Sequence, residues 1–259
     1  MKFAHAPALL GCVGARPLPG CHAYAGEPVA EIREAAVRDA VAMAEGGLDG
    51  IILQDIGNLP VPRRARPETV AMMTALGLAI REAVSLPLGV SLLEEDPSAA
   101  LAIARAIGAG FVRIKVYVGA MVGAEGIAEG GALEALEARR RLGDPLIELW
   151  ADVHDRTRVP LGEMSLEEAA WDAVWFGKAD GLIVTGRTVE QSLEWIRRVR
   201  ARTGARIWIG GSVSPENVRE VAPEVDGIIV ATSLKVGHDL LRPVDPQAVR
   251  RLVTALRAV

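Results

Sequence analysis

The sequence predicts a single α/β domain, a (β/α)8 TIM barrel, and three observations predict it. Eight short apolar runs rich in β-branched residues alternate with longer Ala-, Leu-, Glu- and Arg-rich stretches of helical period. A helix–Gly–(Ala/Asp)–strand junction recurs in "GGLDGII", "GKADGLI" and "EVDGIIV". The chain has 259 residues, 50% of them hydrophobic, which suffices for one barrel core. Residues 1–259 therefore read as one domain, with strands and helices from about residue 8 to 259. A doubly wound sheet would carry a glycine fingerprint at its first βα turn. That turn reads "GARPLPG", without GxGxxG.

The expected strands are 8–14, 50–56, 87–93, 111–118, 146–154, 181–186, 206–211 and 227–233. Between them lie amphipathic helices such as "EIREAAVRDAVAMAEGG" and "TVEQSLEWIRRVRARTG", and "DPQAVRRLVTALRAV" closes the series. Ser165 in "SLEE" and Ser214 in "SPEN" offer N-caps, the second with Pro215 at the first helical position. Glycines follow the helix ends in "EGGLDG", "AIGAG" and "ARTGA", where left-handed C-caps want them. Trp171 and Trp175, four apart on one helix face, are expected to pack inward rather than form a subunit contact.

Charge and cysteine usage exclude several classes. With 29 basic and 33 acidic residues the net charge is -4, and no basic arm stands out, so nucleic-acid binding is not expected. The basic "EWIRRVRARTGAR" reads as a solvated helix face. Two cysteines, Cys12 and Cys21, suggest neither a disulfide scaffold nor a cysteine zinc site. No run reaches the ~18 apolar residues of a transmembrane helix. "ALLGCVGA" doubles as the first strand rather than a secretion signal, so a cytoplasmic protein is expected.

In such barrels chemistry sits at the C-terminal strand ends. On the fourth strand Arg113, Lys115 and Tyr117 share a face, and on the fifth Asp152 and His154 do. Asp152 and His154 suit an acid–base pair, with Lys115 and Asp55 lining the reacting end. Lys115 paired with Asp152 as a buried ion pair is the plainer alternative. Asp55, Asp152 and His154 are also the candidate ligands of a divalent metal, and no organic cofactor motif is visible. Gly210, Gly211 and Ser212 after the seventh strand, with Thr232 and Ser233 after the eighth, form a candidate phosphate site. Thr185, Gly186, Arg113 and Lys235 are candidate substrate contacts. The glycine-rich "GAMVGAEGIAEGGA" is long enough for a flexible loop or a lid. A small anionic metabolite is the expected partner, acted on by isomerase, lyase or aldolase-like chemistry, and homo-oligomerisation is open.

Taken in order, "RPLPG", "DGIILQDIGNLP", "ADVH", "DGLIVTG", "SVSPENV" and "DGIIVATSLK" followed by "PVD" resemble the BtpA family, which includes SgcQ. The resemblance implies a TIM barrel akin to the phosphate-binding, ribulose-phosphate-like barrels. It supplies no reaction. The family name implies the alternative of a non-catalytic assembly or stability factor, such as one for photosystem I biogenesis. The chain departs from the family pattern at Gly14, Gln54 and Asp55, Ser91 and Glu94, and Lys115, all at the site end.

Overall fold

The computed structural model describes residues 2–258. Eight parallel strands close into a barrel: β1 (Ala8–Gly14), β2 (Gly50–Gln54), β3 (Leu88–Ser91), β4 (Phe111–Ile114), β7 (Glu148–Val153), β9 (Gly181–Val184), β10 (Ile207–Gly210) and β11 (Gly227–Val230), which pairs back to β1. All eight expected strands are present in the expected order, each ending within a few residues of its apolar run. The crossover helices are α1 (Val29–Glu45), α2 (Pro67–Ala83), α3 (Pro97–Ile107), α4 (Ala132–Arg141), α5 (Leu166–Trp175), α6 (Val189–Thr203), the short α7 (Val218–Val221) and α8 (Pro246–Arg257). Among the described residues no helix is long and apolar enough to cross a membrane.

The strands read as nearly continuous apolar runs because both their faces are covered. Leu9, Val13, Ile51, Leu53, Val112 and Leu149 face outward into the helix layer. Leu10, Cys12, Ile52, Phe111, Trp150, Ile183, Trp208 and Ile229 fill the barrel interior, one residue out of phase with the outward set along each strand. Phe111, Trp150 and Trp208 stack with centroids 3.7 and 4.2 Å apart. Phe3 closes the base edge-on to Trp208 at 5.3 Å. The stack needs bare backbone beside it. A Cβ on Gly227 would fall 1.7 Å from the Trp208 ring, and one on Gly89 would fall 2.2 Å from Phe111.

Local signals were met unevenly. Ser165 forms the full capping box with Glu168. Gly108 and Gly204 take left-handed C-caps. Ser214 does not cap a helix: α7 starts later, at Val218, and Asn217 holds the turn by accepting from the Ser214 N–H at 2.9 Å. The basic face of α6 is solvated and ion-paired, through Arg197 to Glu224 and Arg198 to Glu167.

Two expectations are corrected. The loop after β4 folds as a hairpin, β5 (Ala120–Gly123) and β6 (Gly126–Glu129), with β8 (Val159–Pro160) as its third strand. Its glycines serve the turn, where Gly126 has φ 96°, and Arg63 pins the hairpin through a 2.9 Å bond to the Ile127 carbonyl. Trp171 and Trp175 do not pack inward. Leu166, Ala169, Ala170 and Ala173 form the buried face of α5, and the two indoles lie on each other at 5.1 Å with Arg202 over Trp171.

Candidate active site at the barrel mouth

Alternation sets the floor of the mouth. One layer above the aromatic stack, Gln54, Ser91, Arg113, Asp152, Thr185 and Gly210 take the inward positions of six neighbouring strands. Gln54 donates to Ser91 at 3.4 Å. Arg113 donates to both oxygens of Asp152, at 3.0 and 2.8 Å. Burial disfavours the Arg113 charge, yet the Asp152 carboxylate outweighs it and raises the guanidinium above its ordinary value. Burial likewise pushes Asp152 upward, against the pull of Arg113.

Asp152 therefore pairs with neither of the partners the sequence suggested. Lys115 lies 2.9 Å from Asp155, whose carboxylate also accepts from the Thr157 N–H and hydroxyl at 3.0 and 2.8 Å. These contacts hold Asp155 below the ordinary carboxylate value despite its burial. His154 has φ 53°, which ends the strand alternation, and it makes no hydrogen bond to Asp152. Its Nε2 is hydrogen-bonded to nothing among the described residues, and burial lowers its pKa against the pull of Glu167. Tyr117 leaves the mouth altogether: its ring is buried against Gly177, and its hydroxyl donates to the Gly177 carbonyl.

Asp55 is fully buried, accepting from the Leu93 N–H at 2.9 Å and from Asn58 at 3.5 Å. Beside it Glu94, also buried, is pushed up to about 9 by burial and then by its hydrogen bond to Asp55. Asp55, Asp152 and His154 are not brought together as a metal set: Asp55 is held by the Leu93 N–H and Asn58, Asp152 by Arg113 of β4, and His154 by neither. Among the described residues no group of three His, Cys, Asp or Glu side chains could hold an ion.

At the far side of the mouth β10 ends in bare backbone. A Cβ on Gly210 would lie 2.2 Å from Thr185 Oγ1, a buried hydroxyl with no hydrogen-bond partner among the described residues. Gly211 and Ser212 both take positive φ, 71° and 61°. The Gly211 N–H is tied to the Ile229 carbonyl at 2.9 Å, and Thr232 and Ser233 open a one-turn 3-10 helix. Arg156 lies over this turn, with a guanidinium nitrogen 3.4 Å from where a Gly211 Cβ would be. Two of the candidate substrate contacts are engaged within the chain. Lys235 is buried in an ion pair with Asp39 of α1, which also accepts from the Val244 N–H at 2.8 Å. The Gly186 N–H donates to Ser192 Oγ at 2.9 Å, joining the start of α6 to β9.

Over strands β2 to β4 the hairpin roofs a cavity of about 430 Å³, lined by Val61, Arg64, Leu93, Glu95, Ile127 and Arg158 among others. Glu95 accepts from the Val116 N–H at 3.2 Å. Burial raises its carboxyl to about 7, with Lys115 and Arg158 opposing. Sequence analysis assigned no role to Glu95, Arg156 or Arg158. The charge-dense "HDRTRV" directly after the fifth strand was the available signal.

A closed parallel barrel with its charged side chains gathered at the C-terminal mouth defines a TIM-barrel protein. Solved structures agree on the fold: tryptophan synthase from M. tuberculosis has a TM-score of 0.63 at 16% identity, covering 97% of this chain and 94% of that one. Phosphoribosylanthranilate isomerase from Thermotoga maritima gives 0.60 at 14% identity, covering 97% and 99%. Within that class the chain belongs to the BtpA family, whose model matches residues 5–258. It is 35% identical to an uncharacterized protein of Pyrococcus furiosus over 98% of this chain and 95% of the relative. It is 34% identical to the photosystem I biogenesis protein BtpA of Synechocystis over 96% and 87%. The sgc region protein SgcQ of Escherichia coli is 27% identical over 76% and 74%.

Proposed function

We propose that this barrel is an enzyme acting on a small phosphorylated metabolite, of sugar-phosphate size, by isomerase or lyase-type proton transfer. Arg156 over the Gly211–Ser212 turn carries the reading, because this guanidinium has no ion-pair partner among the described residues. A phosphoryl group there meets Arg156, the bared backbone of Gly210 to Ser212, the Thr185 hydroxyl and the turn at Thr232 and Ser233. Structural neighbours such as phosphoribosylanthranilate isomerase and thiamine phosphate pyrophosphorylase bear names of phosphorylated compounds, which is consistent with it. Glu95, with a carboxyl near 7, is the proton carrier best matched to neutral pH. Lys115 and Asp155, with Arg113 and Asp152, line the reacting end, and His154 is a second proton carrier at its edge.

The test is a thermal-shift series with inorganic phosphate and ribose 5-phosphate on the unmodified protein, Arg156→Ala and Gly211→Asp. Protection of the unmodified protein that both variants lose supports the site. A folded protein indifferent to both compounds sinks it. Weight then moves to a non-catalytic assembly role, which the name of the Synechocystis relative favours and which pull-down with photosystem I subunits would probe.

A further inference from the structure

We propose that the cavity beneath the β5–β6 hairpin binds the uncharged end of the ligand, a group presenting an N–H beside a C=O, as a lactam or pyrimidine edge does. This rests on the reading above for the phosphorylated end, and adds the chemical class of the other end.

Three observations carry it. The first is size: about 430 Å³ lies in the range of small-molecule sites and holds one ring with its substituents. The second is charge. Arg63, Arg64 and Arg158 face Glu95, Glu125, Glu129 and Glu134 across walls that include Val61, Leu93 and Ile127, so neither sign dominates. A strongly charged group finds no net attraction there, and a neutral polar ring does.

The third is a donor and an acceptor side by side that lack hydrogen bonds. Arg158 is almost wholly buried, in long ion pairs 3.5 Å from Glu95 Oε1 and from Glu125 and 3.9 Å from Asp155. It makes no side-chain hydrogen bond to any of them, and its Nε donates to nothing among the described residues. The Oε1 of Glu95, in the same wall, likewise accepts no hydrogen bond among the described residues. Buried polar groups are normally paired, and sites that leave matched donors and acceptors unfilled select ligands that fill them. An N–H directed at Glu95 and a C=O directed at Arg158 complete both.

The same loop reaches the other end. Arg156 over Gly211 and Arg158 in the cavity wall belong to the one turn that follows β7, closed by the Arg158 N–H on the Asp155 carbonyl at 3.0 Å, so a single segment contributes to both ends.

The experiment is titration of the full chain with uracil and with 1,3-dimethyluracil, followed by NMR or calorimetry. Uracil is expected to bind at least ten-fold more tightly than its dimethyl analogue, whose methyls cover both N–H groups. Glu95→Ala and Arg158→Met should each weaken uracil at least ten-fold. Equal binding of the two compounds, no binding by either, or uracil binding that survives both variants overturns the proposal. The uracil pair tests it on unmodified protein even if a variant fails to fold. Uracil binding without any response to inorganic phosphate would remove the phosphate reading and leave the cavity assignment standing.

Discussion

Arg113 on β4 grips Asp152 on β7 through two hydrogen bonds, 3.0 and 2.8 Å long, inside the barrel. Both side chains are largely withdrawn from water, with 15% and 4% exposure. A bidentate pair of this kind fixes two adjacent strands in register at the level where a substrate would meet the barrel. It also means that Asp152, read from sequence as the acid–base partner of His154 or the ion-pair partner of Lys115, is held instead by Arg113.

Removing one partner leaves the other charge buried and unmatched. Asp152→Asn is therefore expected to cost about 3–5 kcal/mol in urea unfolding, and Arg113→Met a similar amount. The double variant should recover much of the loss, since neither charge then remains. A double variant as unstable as the two single changes added together would show that the pair does not act as a unit.

Lys235 illustrates a second reassignment. Its ammonium is buried against Asp39, so the segment after β11 is fastened to α1 and the charge is unavailable to an anion at Ser233. Lys235→Met should lower the unfolding midpoint, while the relative protection given by phosphate stays as in the parent protein. Loss of that protection at unchanged stability would return Lys235 to the binding site.

The Glu94 carboxyl gives the protein a pH signature of defined sign. Its pKa rises from 4.5 unfolded to about 9 folded, so the folded state binds the proton more tightly. Its stabilising contribution is complete below about pH 4.5 and is lost as pH climbs through 9. Glu95 behaves likewise but finishes near 7, so Glu94 dominates between the two of them above that pH. Stability should fall from about pH 7.5 to 9 with a slope of up to ~1.4 kcal/mol per pH unit, and Glu94→Gln should flatten it. A parent protein with no slope in that interval contradicts the raised Glu94 carboxyl.

The barrel was legible in the sequence because its physics is local and repetitive. Runs such as "GIILQ" and "GLIV" are buried on both faces, and each is followed by a helical period, the one after "GLIV" stopped by Gly204. Strand alternation also placed Arg113 and Asp152 correctly on the inside. What pairs with what was not legible, because ion pairs across the mouth depend on loop paths. His154 shows the limit: two-residue spacing puts it beside Asp152, but a left-handed backbone at φ 53° cancels the alternation. The hairpin was hidden for a similar reason. "AMVGAEGIAE" has strands of only four residues, paired with a two-residue β8 distant in sequence, and its glycines mimic a flexible loop.

Gly227 tests how rigid the barrel base is. Glycine weakens a strand by roughly 0.5–1 kcal/mol relative to alanine, so Gly227→Ala would stabilise the protein if space allowed. Space does not allow it: the new Cβ would lie 1.7 Å from a Trp208 ring carbon. The indole cannot retreat, since Trp150 stacks on it at 4.2 Å and Phe111 backs Trp150 at 3.7 Å. Overpacking of this order costs about 1–3 kcal/mol or more, which outweighs the strand gain. Gly227→Ala should therefore lower the unfolding midpoint, and adding Trp208→Leu should relieve the clash and recover part of it. A single variant as stable as the parent would mean that the stack slides, and that the aromatic base is softer than its geometry implies.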